Sequence, residues 1–437
     1  MKRRTLLLLV IVASGLSGCG MFASHKKPLP GVRISVLSLD RRLKPDPALQ
    51  KIPIMLPRPQ ENKSWPQAGG YPDHAMYHLA LPLRVSEVWR HTVGEGNSDN
   101  AWVLTAPVVA DGRVYAMDGR ERVDAFDAAS GRRIWRVSLK PKGQRGDSFG
   151  GGLAYWQGHL FATTGYAQIL ALDAKSGKVL WHKDVGAPVR CAPTVADGRV
   201  FVLTVENRLE VLAAKNGRRL WSHEGIPKTV GLLGDASPAV AGEVVVVGDS
   251  SGELYALAVE NGRALWSHNL AGVDSLDAVA SLADIRGRPV IDGDRVFAVG
   301  HAGRTIGIDL RTGTRIWGED IGGAYEPWVA GDYIYVLSNG NALICLARND
   351  GKIRWVRRLP SYENAKAKDD PIEWAGPVLA GNRLILVSSK GDALAVSPYT
   401  GEALGRISIG GPAYVAPVVA GDALYILTNN AVLTAYR

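Results

Sequence analysis

The sequence predicts an all-β protein: an eight-bladed β-propeller with four-stranded antiparallel blades, its ring closed by an N-terminal strand. Three observations predict it. A motif of Ser, Asn, Thr or Asp followed by Gly and, four residues later, Trp recurs along the chain. A longer alternating run broken by a Gly turn recurs out of phase with it, and the last copy of the repeat stops short while a spare Trp strand stands ahead of the first. Self-similarity at a period of roughly 20–50 residues marks arrays and propellers, so it is settled before any motif is given chemistry.

The chain opens with Lys2, Arg3 and Arg4, then the apolar run TLLLLVIVASGL and LSGC at residues 16–19. That run has the length of a signal-peptide core and is too short for a comfortable spanning helix. LSGC resembles the lipobox of bacterial lipoproteins, which implies that residues 1–18 are removed and that Cys19 becomes the lipidated first residue. By the same resemblance, Gly20 stands where an inner-membrane retention signal would place Asp, so the anchor is expected in the outer membrane on its periplasmic side. Residues 19–63 are expected to form a tether, because Pro28, Pro30, Pro45, Pro47, Pro53, Pro57 and Pro59 punctuate a basic stretch nearly free of aromatics. Within it, VRISVLSL (32–39) alternates enough to add one strand to a partner.

The propeller is expected over 64–437. Its motif copies are SGRRIWRV (130–137), SGKVLWHK (176–183), NGRRLWSH (216–223), NGRALWSH (261–268), TGTRIWGE (312–319), DGKIRWVR (350–357) and TGEALGRI (400–407), with Gly405 in the last Trp position. The inner runs begin with APVVADGRVYAM (106–117) and number eight, but the eighth unit ends at VLTAYR before a Trp strand. SEVWRHTV (86–93) supplies the missing strand, with Trp89 at its centre. Four strands of about 5–6 residues plus turns fill such a period, and pairing the two chain ends removes an exposed edge. Gly gives the third turn its positive φ, the residue before it hydrogen-bonds the turn, and Trp buries a large flat surface against the neighbouring blade.

Composition excludes several functions. Three basic residues lie in the signal, and residues 26–63 hold nine Lys or Arg against Asp40, Asp46 and Glu61, so the net charge of +9 resides wholly before residue 64. A neutral folded body removes the electrostatic basis for nucleic-acid binding. Cys191 and Cys345 are too few for a disulfide framework, whether or not they pair, and are expected as small buried apolar residues in strands. The nine His residues have no metal-type spacing. His223 and His268 recur at one motif position and are read as structural, since a catalytic dyad is singular.

LALDAKSGKVLW (170–181) and LYALAVENGRALW (254–266) resemble the pyrroloquinoline-quinone propeller repeat, and SWPQAGGYPDH (64–74) resembles the opening motif of such propellers. Two classes share the repeat: quinone-dependent periplasmic dehydrogenases, and the BamB lipoprotein family of the outer-membrane β-barrel assembly machinery. The dehydrogenases use quinone and calcium ligands, a catalytic Asp and an adjacent Cys pair; the pair is absent here, and the acids fall mostly at turns such as ADGR and AGDY. Lipobox, length and eight repeats resemble the second class, which implies a non-enzymatic scaffold without cofactor or metal. That class binds the BamA-type barrel subunit, aids insertion of β-barrel precursors and contacts unfolded precursors; another envelope adaptor is the further alternative. In that family two loops leading into successive blades bind the barrel subunit. The first, of L-x-L-R-G-E-S-A-P type, maps to VGLLGDASP (230–238), which keeps Leu232, Gly234, an acid at Asp235 and Pro238 but has Val230 for Leu and Leu233 for Arg. The second, of S-D-V-D-x-x-P-V-V type, maps to ADIRGRPVI (283–291), which keeps Asp284 and Pro289 but has Arg286 for the second Asp. The resemblance implies an apolar anchor at Leu232 or Leu233 with Asp284 at a charged rim.

Overall fold

A computed structural model describes residues 43–437 apart from 100, 229–235, 271–283 and 302. Cys19, the signal segment and the tether up to residue 42 lie outside the described residues. Among the described residues, period-2 alternation yields eight four-stranded antiparallel sheets arranged as the blades of a propeller. Blade 1 runs outward through Val108–Ala110, Arg113–Met117, Arg122–Asp127 and Arg133–Ser138. Burial falls along that path, from fully buried inner residues to an outer strand that is half exposed. Blade 8 takes Val418–Ala420, Ala423–Leu427 and Val432–Tyr436 from the C-terminus and Glu87–Thr92 from the N-terminus, with Trp89 opposite Ala435 and His91 opposite Leu433. Ring closure by the N-terminal strand is thus as the truncated eighth repeat predicts.

The repeat motif is a lock between neighbouring blades. Each outer-strand Trp lies over the Gly turn of the next blade, and its indole N–H donates to the carbonyl three residues before that Gly. Trp135 donates to Ala174 O at 3.1 Å, Trp181 to Ala214 O at 3.0 Å, Trp221 to Val259 O at 2.9 Å and Trp355 to Pro398 O at 3.0 Å. Glycine is needed there twice over. Gly177 has φ +73°, and a Cβ on it would stand 2.7 Å from Trp135 Cε3. Trp89 uses the same lock from blade 8 onto blade 1, donating to Ala128 O at 3.1 Å. Gly405 is the exception, and the topology explains it. The turn it would cover does not exist in blade 8, because the third and outer strands there come from opposite chain ends. The motif histidines sit at the same joints: His268 Nε2 is 2.5 Å from Gly313 O, and the His223 ring lies 5.1 Å from that of Tyr255.

The segment ahead of the ring does more than introduce it. Between Asn62 and Leu79 the chain bonds the innermost strand of every blade in turn. Asn62 Nδ2 donates to Val419 O, Trp65 exchanges two backbone bonds with Val109, and Tyr155 N donates to Pro66 O. Gln67 accepts from Val195 N at 2.8 Å and donates to Val195 O at 3.4 Å. Val240 N, Ile291 N and the Trp328 indole then donate to the carbonyls of Pro72, Asp73 and Tyr77, and Leu79 bonds Leu379. Trp65 stacks on Trp328 with centroids 6.3 Å apart. One pass of chain therefore seals one mouth of the central channel and satisfies inner-strand groups that would otherwise be buried unpaired. Gln67 is 2% exposed. Its replacement by Leu strands the Val195 amide and carbonyl, so thermal or urea unfolding is expected to show a loss of about 1–3 kcal/mol; an unchanged midpoint would remove the plug from the stability account.

Two features depart from the sequence reading. Residues 43–63 are not a free tether: Asp46 N donates to Ile353 O at 2.7 Å, Arg354 Nη2 donates to the carbonyls of Gln50 and Ile52, and Ile54 is buried. Leu43, Ile54 and Leu56, spaced among the prolines, supply apolar purchase that a count of prolines overlooks. A small hairpin, Tyr362–Asn364 with Asp369–Pro371, also rises between blades 6 and 7. Cys345 lies in a strand as expected, while Cys191 is buried in the loop ahead of Thr194–Ala196, its Sγ 3.5 Å from Leu203 O.

Candidate functional site

On the face opposite the sealed mouth, outer strands lead into the next inner strand. The predicted site residues Val230, Leu232, Leu233 and Asp235 lie outside the described residues. Asp284 and Arg286 are described, and they separate. Asp284 is 4% exposed rather than a rim charge: its Oδ1 stands 3.8 Å from Lys228 Nζ, and its carbonyl accepts from His301 N at 3.0 Å. The cause is Ile285, which is 2% exposed, fills the space beside Gly248 and donates its N–H to Asp249 O. Anchoring Ile285 pulls Asp284 inward and turns the half-buried Arg286 toward the axis.

Arg286 lines a central cup of about 80 Å³, together with Arg190, Arg288, Glu326, Tyr325 and Tyr414, over a floor that includes Ala68 of the plug. Arg288 Nε donates to Glu326 Oε2 at 2.7 Å. Burial raises the Glu326 carboxyl above its ordinary range, and Arg288 opposes that shift. Burial pushes the Tyr325 hydroxyl up to about 12, so it stays protonated and donates to Tyr414 O at 3.4 Å. Beside the floor, burial and the neighbouring Arg288 charge hold His74 down at about 3, so it adds no positive charge near neutrality. Arg190 lies over the Phe149 ring at 5.8 Å.

The quinone of the dehydrogenase alternative does not fit this cup. Pockets for cofactor-sized ligands run to about 300–1,000 Å³, several times the volume present. Three guanidinium groups occupy the mouth, and its lone lining carboxylate is tied to Arg288. Among the described residues, no group of three or more His, Cys, Asp or Glu is placed to hold a metal ion. The acids on this face do turn work: Asp249 Oδ1 accepts from the amides of Ser251 and Glu253. Glu121, at φ +58°, accepts from Gly165 N at 2.6 Å.

Sequence reading missed Arg190, Arg288, Tyr325, Glu326 and Tyr414. They come from several stretches of the chain, yet a signal exists: a proline recurs at 107, 193, 238, 289, 327, 377 and 417 just ahead of, or within, seven of the eight inner strands, blade 2 being the exception. The one to three residues before it line the cup in several blades, as in Arg190, Ser237, Arg288, Glu326 and Tyr414.

A family described as outer membrane protein assembly factor BamB matches residues 119–357, a span that includes both loops singled out above. The outer membrane protein assembly factor BamB of Shewanella oneidensis is 26% identical over 346 residues, covering 77% of this chain and 85% of that relative. Among solved structures, BamB from Moraxella catarrhalis superposes with a TM-score of 0.69 at 18% identity, over 81% of this chain and 100% of that one. The quinohemoprotein alcohol dehydrogenase from Comamonas testosteroni gives 0.67 at 15% identity, over 85% and 80%. At these identities both structural likenesses establish the fold alone.

Proposed function

Because the chain belongs to the family of outer membrane protein assembly factor BamB, we propose that it is a non-enzymatic scaffold of the outer-membrane β-barrel assembly complex. In this reading it is lipid-anchored through Cys19, faces the periplasm and grips a BamA-type barrel subunit. The observation that carries the reading is the family match over 119–357, a span that contains both candidate loop sequences, joined to a propeller whose plug lies across one face. The mechanism is binding without chemistry. Rigid blades flank the segments that lead into blades 4 and 5, and a preorganised scaffold lowers the entropic cost of binding. Leu232 and Leu233 act as the apolar anchor, Val230 and Asp235 flank it, and Asp284 with Lys228 fixes the base of the second loop. Arg286 then faces the partner from the cup. The stretch ahead of residue 43 links the lipidated Cys19 to the folded body.

Capture from detergent extracts tests this. The full chain is expected to retain a BamA-type barrel protein, and Leu232→Glu with Leu233→Glu to weaken retention about 30-fold or more, as loss of a hot spot near 2 kcal/mol requires. Absence of any barrel protein under conditions that preserve complexes would defeat the proposal; undiminished capture by the double variant would move the interface elsewhere.

A further inference from the structure

We infer that the central cup is a binding site for one small multivalent anion carrying carboxylate or phosphate oxygens. The charges converge there. Arg190, Arg286 and Arg288 line one small cavity, and Glu326 is the single carboxylate that lines it with them. Glu326 is bonded to Arg288, while Asp284 is held near Lys228 and so is turned to another cation. Glu373 lies within electrostatic range of Tyr325 and Tyr414 but is solvent-exposed, so its charge is screened by water. The excess of positive charge is therefore carried by Arg190 and Arg286, which come from different blades and are held apart from any carboxylate partner among the described residues.

The cup already shows how it binds oxygen anions. Arg288 Nε meets Glu326 Oε2 at 2.7 Å, the length of a charge-assisted hydrogen bond. A guanidinium left half-buried without such a partner is costly, and an anion that bridges two of them removes that cost in a site where water screens poorly. Size restricts the ligand further. A volume of about 80 Å³ corresponds to two or three waters at roughly 30 Å³ each, which suits phosphate or a short dicarboxylate and excludes a nucleotide. The plug restricts the route. Trp65 and its backbone bonds to Val109 close the channel behind Ala68, so the anion enters from the face opposite the plug.

The experiment uses the full-length chain in detergent, titrated calorimetrically with inorganic phosphate and, separately, with succinate, at constant ionic strength balanced with chloride. A saturable one-to-one heat with either probe is expected, together with a rise in Tm that levels off as the site fills. The phosphate and succinate arms tell which oxygen chemistry is preferred. Arg190→Gln with Arg286→Gln should weaken binding about tenfold or more, whereas Arg218→Gln, an exposed site on the sealed face, should leave it unchanged. Arg286→Lys keeps the charge and loses the fork, and it should reduce affinity with an unaltered circular dichroism spectrum, so the test survives if the double variant fails to fold. Heats that never saturate, equal responses to chloride, or equal binding by folded Arg286→Lys and Arg286→Gln variants and the parent would overturn the assignment.

Discussion

Replacing Trp89 by alanine is expected to cost about 3–5 kcal/mol of stability, the usual range for deleting a buried aromatic side chain. Trp89 is 7% exposed, its ring lies 6.3 Å from Phe126 and 6.0 Å from Tyr425, and its N–H donates to Ala128 O. These contacts couple blade 8 to blade 1. They also hold the one outer strand that is not covalently joined to its blade through a turn. With an unfolding entropy of about 2 cal/mol/K per residue, a chain of 437 residues loses roughly 1 °C of Tm per kcal/mol, so a fall of about 3–5 °C is expected by calorimetry. Limited proteolysis should cut ahead of Val93 sooner in the variant. The reciprocal change gives a control. Gly405→Trp restores the repeat pattern, yet a Cβ at Gly405 meets nothing within 4 Å and blade 8 offers no Gly turn to cover. It should alter stability by less than about 0.5 kcal/mol. A Trp89→Ala protein that melts with the parent, or a Gly405→Trp protein several degrees more stable, would show that the locks do not hold the ring.

Glu121→Gln is expected to remove most of a stability loss that the parent suffers as pH rises. Glu121 is 1% exposed; Gly165 N satisfies Oε1, and Oε2 has no partner. Burial, with repulsion from Asp118 added, pushes its carboxyl up to about 8 against the Gly165 bond that favours ionisation. The folded state therefore holds this proton up to a higher pH than the unfolded chain, whose carboxyl releases it near the ordinary 4.5. The favourable contribution is complete below about pH 4.5 and is lost progressively until about pH 8, with at most about 5 kcal/mol at stake at 1.36 kcal/mol per unit. Asp249, raised to about 6 by burial, adds a smaller decline of the same sign at the lower end of that window. Urea midpoints at pH 5 and pH 8.5 should differ in the parent and converge in Glu121→Gln. Parallel pH profiles for the two proteins would show that Glu121 is solvated or paired in solution.

The ring was legible because each of its causes is local and repeated. Gly at 131, 177, 217, 262, 313 and 351, with Trp four residues on, announces both a turn and the surface it must bury. Even the irregular copies carried information, since Trp89 and Gly405 are the two positions where the chain ends interrupt the pattern. The plug was half legible. Trp65, Gly69 and Gly70 stood out, but nothing in a run of irregular residues tells that Gln67 reaches Val195 or that Asp73 reaches Ile291. Asp284 was misplaced for a related reason: a charged residue in a loop is expected in solvent, and only the anchoring of its neighbour Ile285 turns it inward.

The sequence by itself determined the eight blades, the strand order, the closure and the residues of the joints, because alternation, turn chemistry and aromatic burial act over a few residues and repeat. Only the tertiary structure decided which mouth of the channel is sealed and which residues share the cup. Arg190, the Arg286–Arg288 pair and Glu326 stand in three separate stretches of one chain, and an axis of near-symmetry brings equivalent positions together whatever side chains they carry. Repetition fixes where such residues meet, while the charge collected there is the sum of individual, non-repeating choices that no local pattern records.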